Sequence, residues 1–122
     1  LDLVGIPIPE YHQGRSLLSV LKEEGASPRK SVRCEYFDAL DSQFTGGSGS
    51  FGTMYRTERY KLSMYHDKGL GELYDLENDP WEFENLWNDP LHAHLKNRLV
   101  LESFNSHVNL TTDVGSKRIA PM

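Results

Sequence analysis

A single cysteine, Cys34, stands in the 122 residues. No internal disulfide is possible, and a zinc site built on several thiolates is excluded. One thiol survives in oxidising or reducing surroundings, so the compartment stays open. Long apolar runs are missing too. No stretch approaches the ~20 residues that a membrane-crossing helix needs, so no membrane partner is expected. Positive charge is scarce: 13 Lys and Arg stand against 18 Asp and Glu, a net charge of −5. Nucleic acid is bound by clustered cations. The nearest cluster, Arg29-Lys30 with Arg33, is soon followed by Glu35 and Asp38. A nucleic-acid partner is therefore not expected.

The apolar material that is present is concentrated. Hydrophobic residues make up 38% of the chain, and mean hydropathy is −0.56. Two Trp, six Tyr and five Phe fall largely in strand-like runs, which argues for a packed core over disorder. The length suits one domain. Leu1 to Pro7 reads as the last turn of a helix, with Gly5 as the left-handed stop and Pro7 beyond it. A helix end with no helix before it points to a piece cut from the C-terminal end of a larger protein, without a complete active site.

The pattern predicts an α+β fold: a small antiparallel sheet of about four strands packed against a C-terminal helix. Residues 1–30 read as a linking helix end and loop, with one or two helical turns over 16–21 ended by Gly25 and Pro28. From Ser31 to Asp38 the chain alternates. Val32, Cys34 and Tyr36 point one way and Arg33 and Glu35 the other, and Cys34 is expected inward. Residues 41–52 form a glycine-rich loop inside the sheet region 31–76. Strands are expected over Thr53–Arg56, Arg59–His66 and Gly71–Leu76. The turns between them, at Thr57-Glu58 and Asp67-Lys68-Gly69, are short, which favours a meander. Residues 77–108 read as helical. Asp79-Pro80 and Asp89-Pro90 each look like an N-cap followed by Pro at the first helical position. The first should open a short helix over Trp81–Leu86. The second should open a longer one, with Leu91, Leu95, Leu99, Val100 and Phe104 on its apolar face. Residues 109–122 read as a tail.

Candidate chemistry is sparse. His92 and His94 splay about 200° apart on a helix and cannot share a metal. His66-Asp67 could orient a general base, but a turn explains both residues. Glu72, Asp75, Glu77 and Asp79 could hold a hard cation, yet they lack an EF-hand pattern, and capping accounts for Asp79. Glu82 and Glu84 complement a helix N-terminus. Cys34 has Glu35 and Asp38 nearby, which disfavour its thiolate. The loop 46–52 lacks the Lys-Ser/Thr that follows a phosphate-cradling loop. Asn109-Leu110-Thr111 fits a glycosylation pattern that also arises by chance.

Two segments together are specific. One runs Leu1-Asp2-Leu3-Val4-Gly5-Ile6-Pro7-Ile8-Pro9, then Gln13-Gly14-Arg15-Ser16-Leu17-Leu18. The other runs Tyr55-Arg56-Thr57-Glu58-Arg59-Tyr60-Lys61-Leu62, then Gly71-Glu72-Leu73-Tyr74-Asp75-Leu76-Glu77-Asn78-Asp79-Pro80-Trp81-Glu82-Phe83-Glu84-Asn85-Leu86. In this order and spacing they resemble the C-terminal region of the formylglycine-dependent sulfatases, within the alkaline-phosphatase-like superfamily. Lys117-Arg118-Ile119-Ala120-Pro121 resembles the tail of some members. The resemblance implies a small antiparallel sheet with a C-terminal helix, attached to a large α/β catalytic domain. For that parent it implies sulfate ester hydrolysis with calcium and a cysteine-derived formylglycine, although superfamily members also act on phosphate or phosphonate esters. The nucleophile motif is Cys-x-Pro-Ser-Arg. Cys34 is followed by Glu35-Tyr36-Phe37, so it is not that cysteine, and no catalytic or metal residue is assigned here.

The expected role is an accessory subdomain, inactive alone. It would complete the fold of an absent N-terminal catalytic domain, whose substrate would be a sulfated small molecule or glycan. Gln43, Phe44, Ser48 and Phe51 of the glycine-rich loop are the residues expected to wall the substrate cleft. The rivals are a stand-alone binding or homodimerisation module, and a complete small enzyme using His66.

Overall fold

The computed structural model describes residues 1–9, 12, 14–22, 29–38 and 49–112, with side chains to 109. Four strands follow one another across one sheet: β1 (Ser31–Phe37), β2 (Phe51–Thr57), β3 (Tyr60–Tyr65) and β4 (Leu70–Asp75). Each is antiparallel to its neighbour. The expected meander is therefore present, and its short turns have visible causes. Between β2 and β3, the Thr57 hydroxyl accepts the Tyr60 N–H at 2.9 Å. Between β3 and β4, Asp67 and Gly69 take φ of 60° and 66°, a left-handed backbone that Asp and Gly tolerate better than most residues.

Register sorts the side chains, because directly opposed residues share a face. One ladder runs Arg33–Tyr55–Leu62–Leu73, and the next runs Cys34–Met54–Ser63–Glu72. The first ladder faces the helix α2 (Ala93–Thr112). There Tyr55, Leu62, Leu73 and Leu99 form the buried core, with Leu62 and Leu73 fully shielded, and Tyr60, Met64, Leu86, Trp87, Leu95 and Val100 close its margins. The second ladder belongs to a face without a covering layer among the described residues.

β1 corrects an expectation. Its alternation is real, but its phase against the core is the reverse of that expected. Cys34 is exposed, as are Val32 and Tyr36, while Arg33 points toward α2. Alternation alone cannot say which side will be covered. Arg33 is accommodated because the helix offers it acceptors. Its Nη1 donates to the Ser103 hydroxyl at 2.8 Å and to the Ser103 carbonyl at 3.1 Å, and Ser103 is fully buried.

The helical part follows the expected caps but not every expected helix. Asp89 accepts the Leu91 N–H at 2.9 Å, with Pro90 at the first position of a 3-10 turn over Pro90–His92 that leads into α2. In that turn Leu91 rotates out of the apolar stripe and is 89% exposed. Phe104 is exposed as well, since the position one turn beyond Leu99 is Ser103. No helix forms over 81–86. Glu82 has φ 60°, which no right-handed helix continues. The Asp79 carboxylate instead gathers the backbone of the following loop, accepting the Glu84 N–H at 2.8 Å. A 3-10 turn forms only at Leu86–Asn88.

That loop also finishes the sheet. Asn85 mimics a further strand at the free edge of β4, accepting the Leu73 N–H at 3.1 Å and donating to the Gly71 carbonyl at 3.2 Å. The same Asn85 oxygen accepts the Trp87 N–H at 3.0 Å and so starts the 3-10 turn that lays Trp87 on Gly71. A Cβ at Gly71 would stand 2.5 Å from the Trp87 ring. Glycine is required there by close approach.

At the other end of the chain, Asp2–Val4 form a 3-10 turn stopped by Gly5 at φ 70°, as the sequence predicts. The short α1 (Leu18–Leu21) has the Ser16 hydroxyl accepting the Leu18 N–H at 3.2 Å and bonding to Asp2.

Candidate functional site

The expected cleft residues belong to the sheet end where β1 and β2 meet the glycine-rich loop. Gln43, Phe44 and Ser48 lie outside the described residues. Phe51 opens β2 opposite Phe37, with ring centroids 6.2 Å apart, and is 44% exposed. The strand pair is closed beyond Phe37 by Asp38, whose N–H donates to the Ser50 carbonyl at 3.1 Å and whose carboxylate accepts the Gly49 N–H at 2.9 Å. His66 arrives at the same end from β3. Its N–H donates to the Phe51 carbonyl at 2.8 Å, and its Nε2 lies 3.0 Å from the hydroxyl of the buried Thr53. This end therefore presents two aromatic rings on a hydrogen-bonded frame, with an imidazole alongside.

Several other titratable groups are held by the fold. His92 bonds through Nδ1 to Asp89 at 2.7 Å, away from any partnership with His94. Asp75 takes both arms of the Arg59 guanidinium at 2.9 and 2.8 Å and the Asn78 amide at 2.9 Å. The guanidinium, then the Asn78 bond, hold its pKa down to about 2. The amides of the 81–84 loop hold Asp79 below the ordinary carboxylate range. Among the described residues no three His, Cys, Asp or Glu side chains converge as metal ligands would.

One polar network was not legible in the sequence. The Arg33 Nε meets Glu35 Oε1 at 2.6 Å, and the His107 Nδ1 reaches the same oxygen at 3.1 Å. With the bonds from Arg33 to Ser103, this ties β1 to the far half of α2. Arg33 is the main reason that the Glu35 carboxyl sits below its usual pKa, with His107 adding to it. Residues 33, 35, 103 and 107 carry no motif. Only a buried serine one helical turn beyond Leu99 hints at an incoming donor.

The family model described as N-sulphoglucosamine sulphohydrolase, C-terminal, matches residues 1–107. A Delta 4,5-hexuronate-2-O-sulfatase of Bacteroides thetaiotaomicron is 32% identical over 108 residues, covering 84% of this chain and 21% of that protein. A solved structure of a protein in complex with its substrate D-glucosamine-2-N,6-O-disulfate superposes with a TM-score of 0.74 at 26% identity, over 91% of this chain and 22% of that one. A phosphonate monoester hydrolase from Silicibacter pomeroyi gives a TM-score of 0.72 at 27% identity, over 88% and 23%. The chain spans between 16% and 48% of the length of the curated relatives it matches. A four-stranded meander backed by one helix, with the two specific segments in place and the family model matched almost end to end, decides the family: the chain belongs to the N-sulphoglucosamine sulphohydrolase C-terminal family, the C-terminal domain of sulfatases.

Proposed function

We propose that this chain is the non-catalytic C-terminal subdomain of an enzyme that hydrolyses sulfate esters, completing the fold of an N-terminal catalytic domain. The observation that carries the reading is the family match over residues 1–107. The one-sided sheet supports it. Val32, Tyr36, Tyr65 and Leu70 are more than two-fifths exposed on the face opposite α2, as a subdomain with a neighbouring layer would leave them. The parent's substrate is a sulfated sugar, by similarity to relatives named for hexuronate and N-acetylglucosamine sulfates. The likeness to the phosphonate monoester hydrolases makes a phosphonate the competing substrate class.

Calcium and formylglycine belong to the catalytic domain in this reading. The residues here do not fit either. After Cys34 and Glu35 stand Tyr36-Phe37-Asp38 where the nucleophile motif needs Pro-Ser-Arg, and Asp75, Glu77, Glu82 and Asp79 are engaged by Arg59, Lys61 and backbone amides. No step is routed through this chain. Its contribution to the cleft is a wall: Phe51 with Gln43, Phe44 and Ser48 of the glycine-rich loop select the substrate. Exchanging residues 41–52 for the loop of a relative changes substrate preference, read as the ratio of kcat/KM for two sulfated sugars; an unchanged ratio removes the wall. No helix among the described residues is long and apolar enough to cross a membrane.

The coding sequence upstream of Leu1 tests the main reading. A Cys- or Ser-x-Pro-Ser-Arg motif and release of sulfate by the whole protein are expected. A whole protein without that motif overturns it. Pairing of two copies is the second reading, favoured by the exposed Leu101, Phe104 and Val108 along α2. Light scattering showing a monomer at high concentration excludes it.

A further inference from the structure

The three most exposed large apolar side chains among the described residues are Leu91, Phe83 and Trp81, at 89%, 86% and 78%. All three stand on one segment, which leaves β4 and leads into α2. They are not exposed for want of order. The Asp79 carboxylate accepts the Glu84 N–H at 2.8 Å, Glu82 bridges to Lys61 at 2.5 Å, and Asn85 holds the edge of β4 through two hydrogen bonds. Asp89 accepts the Leu91 N–H at 2.9 Å, and the His92 Nδ1 lies 2.7 Å from its other carboxylate oxygen. Between the two aromatic residues Glu82 takes φ 60°, a left-handed backbone that is strained for any residue other than glycine. The fold thus fixes the backbone under side chains that it does not itself bury.

Charge is equally one-sided along this segment. From Gly69 to Leu95 the chain holds seven carboxylates and no Lys or Arg. Two cations reach in from outside: Arg59 answers Asp75 and Glu77, and Lys61 answers Glu82. Asp79 and Asp89 accept backbone amides, which leaves their charge in place. The Glu84 side chain has no hydrogen bond or ion pair among the described residues. Apolar side chains are therefore set in a negative field. Position adds a third observation. Lys61 belongs to the ladder Val32–Arg56–Lys61–Tyr74 on the face opposite α2, with its Nζ 5.8 Å from the centre of the Tyr74 ring. Its bridge to Glu82 draws residues 81–83 to the rim of that face.

We propose that Trp81, Phe83 and Leu91 are the anchors that seat this domain on the rest of its own polypeptide, against a surface with apolar pockets bordered by Lys or Arg. Aromatic side chains that fill desolvated pockets carry much of the energy of protein interfaces, and charge complementarity fixes which surface they meet. A backbone already fixed lowers the ordering entropy lost on docking. The chain spans 21% of the hexuronate sulfatase that it matches, so most of such a polypeptide lies outside it. The rim continues the open face that the catalytic domain is proposed to cover. A lipid surface is disfavoured, because anionic headgroups would meet these carboxylates. That the partner is a catalytic domain rests on the sulfatase reading, whereas the rim does not.

The test is hydroxyl-radical footprinting of the whole protein, native against unfolded in urea. Oxidation of Trp81, Phe83 and Leu91 is expected to be about fivefold or more slower in the native protein, as for side chains at the dry centre of an interface. Native rates equal to the unfolded ones overturn the proposal. Protection that is lost on dilution to a monomer means that a second copy covers the rim, and overturns it too. So does protection that appears only with lipid vesicles. Glu84→Lys reads the charge of the partner surface from a side chain that the loop does not use. It is expected to raise Trp81 oxidation in the native protein about two- to fivefold at low salt and less at high salt, since like charges then meet and salt screens them. An unchanged rate overturns the basic partner surface. Sulfate release by a whole protein whose rim is freely oxidised removes the rim and keeps the sulfatase reading. A protected rim in a whole protein that releases no sulfate keeps the rim and removes that reading.

Discussion

The two faces of the sheet are built from similar material but have different fates. The face toward α2 holds Tyr55, Leu62 and Leu73 under Leu99, and its one large cation, Arg33, is answered by Ser103 and Glu35. The opposite face holds Val32, Cys34, Tyr36, Met54 and Tyr65 in the same alternating strands, interleaved with Arg56, Lys61 and Glu72. Hydrophobic character does not separate them, because tyrosines and aliphatic residues occur on both. What separates them is whether a second layer arrives to remove apolar surface from water. One face is a core by virtue of a helix within this chain. The other has no such layer among the described residues.

Substitutions can break this contrast or sharpen it. The largest effect is expected inside the covered face: Leu62→Ala or Leu73→Ala should cost about 2–5 kcal/mol in urea unfolding. Val32→Ala on the open face should cost under about 1 kcal/mol in this chain alone. Similar losses from both would mean that the open face is already packed. Next comes Gly71→Ala, where a methyl must displace the Trp87 ring; about 1–3 kcal/mol is expected from such overpacking. A second change, Trp87→Leu, should add far less on that background than it costs alone, read as a double-mutant coupling.

A smaller effect is pH-dependent. Asp75 titrates at about 2 when folded against an ordinary 3.8, because Arg59 and Asn78 favour its charged form. Its contribution is therefore complete above about pH 4 and is lost as pH falls toward 2. Asp75→Asn should lower stability at neutral pH and flatten the fall of stability across that acid window, measured by thermal unfolding at stepped pH. The last prediction moves no stability. Cys34 should react with a thiol reagent in this chain as readily as in the unfolded state, and slowly in the whole protein if the proposed catalytic domain covers the open face. Equal rates in both would leave the open face without a neighbour.

Much of the fold was legible. The alternation in Tyr60–Met64, the turn residues at 57–58 and 67–69, and the Asp89-Pro90 cap all rest on interactions within a few residues, and all appear as expected. The misses share one physical origin. Asp79-Pro80 carries a helix-start pattern, but the Lys61–Glu82 bridge at 2.5 Å and the hold of Asn85 on β4 bend the following residues into a loop. Cys34 and Arg33 exchange faces because a serine on a helix 70 positions away accepts the guanidinium.

The sequence by itself determined which segments become strands, where they turn, where the last helix begins and which family the chain resembles, since each depends on local periodicity, caps or a motif in fixed order. Only the tertiary structure decided which face of the sheet is core and which cations are neutralised there. Those outcomes depend on contacts between residues far apart in the chain, and a one-residue change of phase or a single long-range hydrogen bond reverses them.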